Sequence, residues 1–401
     1  MLRKNIEVPL LDLKAQYRSI RAEVSQAIDE VLESQQFILG PAVQRFEEQA
    51  ASYLQSDAAI GVASGSDALL LSLMALGIGA GDAVLVPTFT FFSTASSITR
   101  LGAMPIFLDI DPENYLMDPK SIEAFLKERC RPHPDGQGLM ELKNRSRIKV
   151  VLPVHLFGQC CSMAPLLAFA QEHHLHIVED VAQALGARAL LSQRASKPAG
   201  TIGDLGCFSF FPTKTLGGMG DGGLVATDKK DLADKIRVLR VHGQSSRYHH
   251  LTVGLNSRLD AIQAAILAVK LRHLDQWCEE RIRRAHLYQN LLSGTGLVGD
   301  RIISLPTPGD GKSHVFNYYV IRVQQRDDLK QYLREHGIQT EVYYPLPLHL
   351  QPCFAYLGHR KGDYPNSELA ASQVLALPMY PELTSEQQEI VVQKIKDFYR
   401  R

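Results

Sequence analysis

The chain has 401 residues, 43 Lys+Arg balanced by 43 Asp+Glu, and 45% apolar against 21% charged residues. At about 150 residues per domain this length holds two or three domains with a sizeable core, and the composition excludes a disordered tail or a collagen-like chain. Zero net charge without any Lys/Arg-rich run argues against nucleic acid as a partner.

Residues 1–7 lack an apolar stretch of secretory length, and the most apolar run, 69–86, is cut by Gly77, Gly79, Gly81 and Asp82. No membrane span is expected. The six cysteines are sparse, and only Cys160 and Cys161 adjoin, a spacing that suits neither a disulfide scaffold nor a zinc site. These features fit a cytoplasmic chain with free thiols and no bound metal.

From residue 59 onward short β-branched runs alternate with helical patterns, which predicts a mostly parallel sheet covered by helices. Strands are expected at 59–63, 83–86, 104–108, 149–154 and 176–180, with helices at 67–76 and 165–173 between them. Residues 132–138 read as a surface loop insertion. Strands at 207–211 and 223–227, joined by a glycine-rich loop, read as neighbours with an irregular connection. Helices follow at 259–274 and 279–292, then strands at 316–323 and 340–344 with helices at 327–336 and 385–399. The expected division is a large α/β domain, 1–245, and a small C-terminal α+β domain, 246–401.

Four segments stand out chemically. Ser64-Gly65-Ser66-Asp67-Ala68 lies where a strand gives way to a helix, so its free N–H groups and the Ser66 hydroxyl suit an anion, although Ser and Asp also simply cap helices. Asp180 ends an apolar strand, at the sheet edge where ligands bind; a buried carboxylate there needs a cation such as a protonated pyridine nitrogen, or serves as a cap or ion pair. Lys214 sits in an apolar, glycine-rich run, 206–218, a setting suited to Schiff-base chemistry, while most lysines simply reach solvent. The run Pro87-Thr88-Phe89-Thr90-Phe91-Phe92 offers an aromatic ring at a strand end, for stacking or for packing.

Taken together in order and spacing, these segments resemble the DegT/StrS-type sugar aminotransferases, pyridoxal-phosphate enzymes of the type I aminotransferase fold. The resemblance runs from PLLDL at 9–13 and FILGP at 37–41 to YPLPLH at 344–349. It implies a large domain with a mostly parallel seven-stranded sheet. It further implies that Lys214 holds the cofactor covalently and later moves the substrate proton, and that Asp180 keeps the pyridine nitrogen protonated. Gln183 would lie near the phenolic oxygen, Phe91 against the ring, and Gly65, Ser66 and Ser209 around the phosphate. Asp67 would turn away from that phosphate to cap its helix. Asn256 would reach the phosphate of a neighbouring subunit, making a homodimer with shared sites.

By the same resemblance, Lys214 marks amino transfer rather than the dehydration of a histidine-bearing branch, with L-glutamate as donor and a nucleotide-linked keto sugar as acceptor. The run 242–258 is similar to members acting on UDP-linked 3-keto N-acetylglucosamine or its uronic acid, with Arg258, Tyr344 and His349 meeting the sugar, in surface polysaccharide or lipopolysaccharide biosynthesis. A dTDP-linked 3-keto or 4-keto deoxysugar is the nearest alternative. A non-catalytic regulator or sugar-nucleotide-binding protein is the alternative of another class, against which stand the retained Asp180, Gln183, Ser209 and Lys214.

Overall fold

In a computed structural model the described residues are 7–135, 138–192, 195–307 and 313–401. Residues 1–6 of the amino-terminal reading, and 136 and 137 of the expected insertion, lie outside them. The chain opens with helices α1 (Leu13–Ser34) and α2 (Pro41–Leu54), the first capped by Asp12, whose side chain accepts from Lys14 and Ala15 N–H. Neither helix is among the elements expected from sequence. Along α1 only the stripe Gln16, Ile20, Val24 and Val31 is buried, so its apolar signal is thin.

The large sheet is built from β1 (Ala58–Val62), β2 (Asp82–Pro87), β3 (Met104–Leu108), β4 (Cys130–Pro132), β5 (Leu139–Glu141), β6 (Arg147–Val151) and β7 (His176–Asp180), with a separate hairpin β8 (Arg188–Ser192) and β9 (Ala195–Pro198), then β10 (Leu205–Ser209) and β11 (Gly223–Thr227). Its main path is β1-β11-β10-β7-β6-β2-β3, seven strands as expected. The five strands β10, β7, β6, β2 and β3 form four parallel pairs, and β11 runs antiparallel between β10 and β1. Strands β1, β2 and β11 are buried throughout, which explains why they are apolar but for Asp82 at the start of β2 and Thr227 at the end of β11. In the expected insertion only Pro132 is in a strand and 133–135 and 138 are loop, as expected; the strands on either side, β4 and β5, pair antiparallel, and β5 continues onto the first half of β6, making nine strands.

Helices α3 (Gly65–Ala75), α4 (Phe92–Thr99), α5 (Pro119–Arg129), α6 (Met163–Glu172) and α7 (Lys230–Leu239) connect these strands or follow β11. A short hairpin, β12 (Gln244–Ser246) with β13 (His249–His250), precedes α8 (Ala261–Leu271) and α9 (Leu274–Ser293). The single helix expected over 259–274 is thus interrupted at Arg272 and His273. Ala264, Leu267 and Leu271 of α8 join the core of the large sheet, while Ile266 and Val269 pack with Ile20, Val24 and Trp277. Each such leucine or isoleucine contributes roughly 1.5–3 kcal/mol by leaving water.

A second core gathers Tyr288 and Leu292 of α9, the antiparallel sheet β14 (Ile303–Ser304), β15 (Tyr319–Val323) and β16 (Val374–Leu377), helix α10 (Arg326–Glu335) and α12 (Ser385–Tyr399). Helix α11 (Pro365–Gln373) leads into β16. Thr384 and Gln387 form a capping box that starts α12. Residues 340–344 do not form the expected strand: apart from a bridge between Glu341 and Ala376 they run as a connection along the sheet end. Among the described residues no helix is long and apolar enough to cross a membrane.

Candidate active site

Parallel pairing sends the carboxyl ends of β3, β2, β6, β7 and β10 to one edge. Because β11 is antiparallel, its first residue lies at that same edge, so the whole segment 210–222 between β10 and β11 stays there. Asp180 at the end of β7, Thr88 after β2, Ser64 after β1 and Lys214 in the 210–222 segment therefore converge, at the edge where α/β sheets bind ligands.

Asp180 is buried. Its Oδ1 accepts the Ala182 N–H at 3.1 Å and its Oδ2 the Thr94 hydroxyl at 2.9 Å. Burial pushes its carboxyl above the usual range, while those two donors and the nearby Lys214 charge pull it back. Glu179, one residue earlier and therefore on the other face of the strand, is satisfied by four donors: Gly200, Ile202 and Gly203 N–H and the ring of His155. His155 Nδ1 accepts the Cys161 N–H, which places the ring proton on Nε2, facing Glu179. Lys214 is half-buried, with Nζ 5.9 Å from the centre of the Tyr318 ring.

Gly65, at the start of α3, lies against Ser209, with Ser66 next to it in the chain. A Cβ on Gly65 would stand 2.6 Å from Ser209 Cβ, so only glycine lets the start of α3 close on the end of β10. Ser64, not Asp67, caps α3: its hydroxyl accepts the Asp67 N–H at 3.1 Å, which corrects the expectation that the Asp67 carboxylate would do so. The N–H groups of Gly65 and Ser66 lie in the first turn, where a helix leaves its donors without intrahelical partners. Ser66 Oγ is 2.6 Å from Ser93 Oγ, tying the start of α3 to the start of α4.

Gln183 bridges two segments, its Oε1 accepting the Phe157 N–H and its Nε2 donating to Tyr344 Oη, both at 2.7 Å. Burial holds the Tyr344 phenol well above its ordinary range. Phe91 is 56% exposed at the N-cap of α4, its ring 6.1 Å from that of Tyr344. His349 is buried, with Nδ1 at 3.0 Å from Thr88 Oγ1 and Nε2 at 3.1 Å from Glu368, so its ring anchors the 344–349 segment to the end of β2 with both nitrogens engaged. Asn256 is exposed and Arg258 half-buried; Ser257 between them accepts the Ala63 N–H at 3.3 Å, which fastens this segment beside the end of β1. Thr94, Ser93, Tyr318, Glu179 and His155 carry no local sequence signal, since each acquires its partner from a distant segment.

The set fits a phosphorylated pyridine: a corner that a single Cβ would fill, free helix N–H groups, a buried carboxylate and an amine beside it. Residues 18–396 match the model of the DegT/DnrJ/EryC1/StrS aminotransferase family. A "Pleiotropic regulatory protein" of Geobacillus stearothermophilus is 46% identical over 98% of this chain and 99% of its own. A UDP-N-acetyl-3-dehydro-alpha-D-glucosamine 3-aminotransferase of Acidithiobacillus ferrooxidans is 40% identical over 96% of each chain. A dTDP-3-amino-3,4,6-trideoxy-alpha-D-glucose transaminase of Streptomyces venezuelae is 39% identical over 98% of this chain and 97% of its own. The crystal structure of S. venezuelae DesV in complex with a ketimine intermediate superposes with a TM-score of 0.88 at 38% identity, covering 98% of this chain and 99% of that one. With the match spanning nearly the whole chain, the protein belongs to the DegT/DnrJ/EryC1/StrS family and is a pyridoxal-phosphate-dependent aminotransferase.

Proposed function

We propose that the protein moves an amino group from L-glutamate to C3 of a UDP-linked 3-keto N-acetylglucosamine or its uronic acid. We place it in the cytoplasm as a homodimer with shared sites, in the making of surface polysaccharide or lipopolysaccharide. The observation that carries the chemistry is the buried Asp180 with the Lys214 charge beside it at the carboxyl edge of the sheet. Support for the sugar comes from the relative of A. ferrooxidans, whose name specifies a UDP-linked 3-dehydro sugar.

When bound, pyridoxal phosphate supplies an electron sink for the pair left at the substrate carbon. Asp180 would hold the proton on the pyridine nitrogen, and the Thr94 and Ala182 donors keep its carboxylate in place and favour its charged form. Lys214 supplies the amine that takes up the proton at the substrate carbon and returns it one position away. Gly65, Ser66 and Ser209 would hold the phosphate, Phe91 would offer its ring for stacking, and Gln183, which also donates to Tyr344, would lie near the phenolic oxygen. Tyr344, held by Gln183, and the segment anchored by His349 form the sugar wall. Asn256 and Arg258 complete the neighbouring subunit's site.

A dTDP-linked 3-keto deoxysugar is the second reading, supported by the S. venezuelae relative. A non-catalytic regulatory role, the name borne by the Geobacillus relative, is the third. The test is an absorbance spectrum of the cofactor-loaded protein before and after glutamate, followed by product analysis with UDP- and dTDP-linked 3-keto sugars in parallel. A spectral shift with amination of the UDP sugar is expected. A shift with amination of the dTDP sugar alone would replace the substrate, and no shift would favour the regulatory reading.

A further inference from the structure

Two polar side chains of α8 are turned toward the loop that carries Lys214. Gln263 Oε1 accepts the Met219 N–H at 2.8 Å, and Lys270 Nζ donates to the Gly217 carbonyl at 2.6 Å. Seven residues apart, they lie about two turns apart on one face of the helix. Lys270 is 4% exposed, and among the described residues no carboxylate stands within ion-pair distance of it. Burial brings its ammonium down to about 8. A buried amine with one carbonyl partner costs stability, so packing alone does not account for it.

Both contacts grip backbone that is already tightly folded. Gly218 N–H donates to the Phe210 carbonyl at 2.7 Å and Lys214 N–H to that of Phe211 at 2.9 Å. A Cβ on Gly217 would lie 2.2 Å from the Pro212 carbonyl oxygen, and one on Gly218 2.9 Å from Gln263 Oε1, so the loop closes on itself and rests on α8. The helix is a firm support because its other side chains are packed into two cores, one of them with α1.

We propose that Lys270 and Gln263 are positioning residues, which hold the 217–219 backbone from α8 and so fix the place from which Lys214 presents its amine. Neither touches the reacting atoms. This rests on the reading of Lys214 as the reacting amine. A small misplacement of a reacting group lowers rate far more than it lowers stability.

The test compares Lys270→Met and Gln263→Ala with Ile266→Val, a core change on the same helix. Melting temperature and steady-state kinetics are measured, together with amide hydrogen exchange of 211–222 in the cofactor-free protein. Lys270→Met is expected to keep or raise the melting temperature. It should speed exchange at Lys214, Gly218 and Met219 about tenfold, and lower kcat about tenfold with little change in KM. Gln263→Ala should act in the same direction, chiefly at Met219, and Ile266→Val should lower the melting temperature alone. Unchanged loop exchange in Lys270→Met and Gln263→Ala, or exchange rising only in step with lost thermal stability, would overturn the proposal. Should Lys270→Met not fold, Gln263→Ala decides alone. A fully active Lys214→Ala would instead overturn the reading of Lys214, and the exchange measurement would stand apart from it.

Discussion

Thr94 Oγ1 reaches Asp180 Oδ2 at 2.9 Å across 86 residues of chain, joining the first turn of α4 to the end of β7. The hydroxyl stabilises the ionised carboxylate against its burial. Thr94→Val removes that donor, disfavours the charged form and moves the Asp180 carboxyl further up. The acid limb of the kcat/KM profile should therefore shift toward neutral pH, with a loss at the optimum of roughly tenfold. A pH–rate series on the glutamate half-reaction checks both.

Gly65→Ala should damage the phosphate corner more than the fold around it. Its Cβ would have to displace the Ser209 backbone, 3.1 Å away at Cα, or the serine's own Cβ at 2.6 Å. A stability loss of about 1–3 kcal/mol is expected in chemical denaturation. Affinity for pyridoxal phosphate, measured by equilibrium dialysis, should fall more than that of a Ser66→Ala control, which keeps every backbone N–H.

Lys214→Ala should abolish the glutamate-driven absorbance change while leaving the circular dichroism spectrum intact, because the side chain is half-buried and leaves little core volume behind. Asp180→Asn should still bind the cofactor but slow the half-reaction steeply. If Asn256 serves a neighbour's site, mixing an Asn256→Ala protein with Lys214→Ala should restore about a quarter of the wild-type activity, because random exchange makes about half of the dimers mixed and each of these has one intact site of two. Two inactive parents that stay inactive when mixed would count against a shared site.

Acid stability should depend on His314. The ring stacks on Phe316 at 3.8 Å, its Nδ1 accepts the Phe316 N–H, and burial lowers it to about 3. Unfolded histidine titrates near about 6.5, so below that the unfolded chain binds a proton that the folded one refuses. Stability present above pH of about 6.5 is therefore lost as pH falls toward 3. His314→Asn, whose side-chain oxygen can keep the Phe316 bond, should flatten this slope in urea titrations at several pH values. His349, lowered by burial as well, acts with the same sign.

The alternation of apolar runs and helices places the strands of the main path, because strands covered on both faces are largely apolar, while their count of seven in one sheet follows from the family resemblance. Ser64–Ala68, Asp180 and the run around Lys214 were legible for a related reason: each lies at a strand end, where local chemistry departs from the apolar pattern. Helix α1 hides a thin buried stripe among charged residues, and the 132–138 segment is too polar to announce the hairpin that β6 completes.

Tertiary structure alone decided the partners. The antiparallel placement of β11 keeps Lys214 at the same edge as Asp180, a fact of strand order that no local window contains. Ser64 rather than Asp67 caps α3. His349 is held at both nitrogens by Thr88 and Glu368. Lys270 and Gln263 meet the glycine loop from a helix more than forty residues downstream. Sequence determines which side chains are available at each strand end, and the pairing of strands and the packing of α8 set the distances on which their chemistry depends.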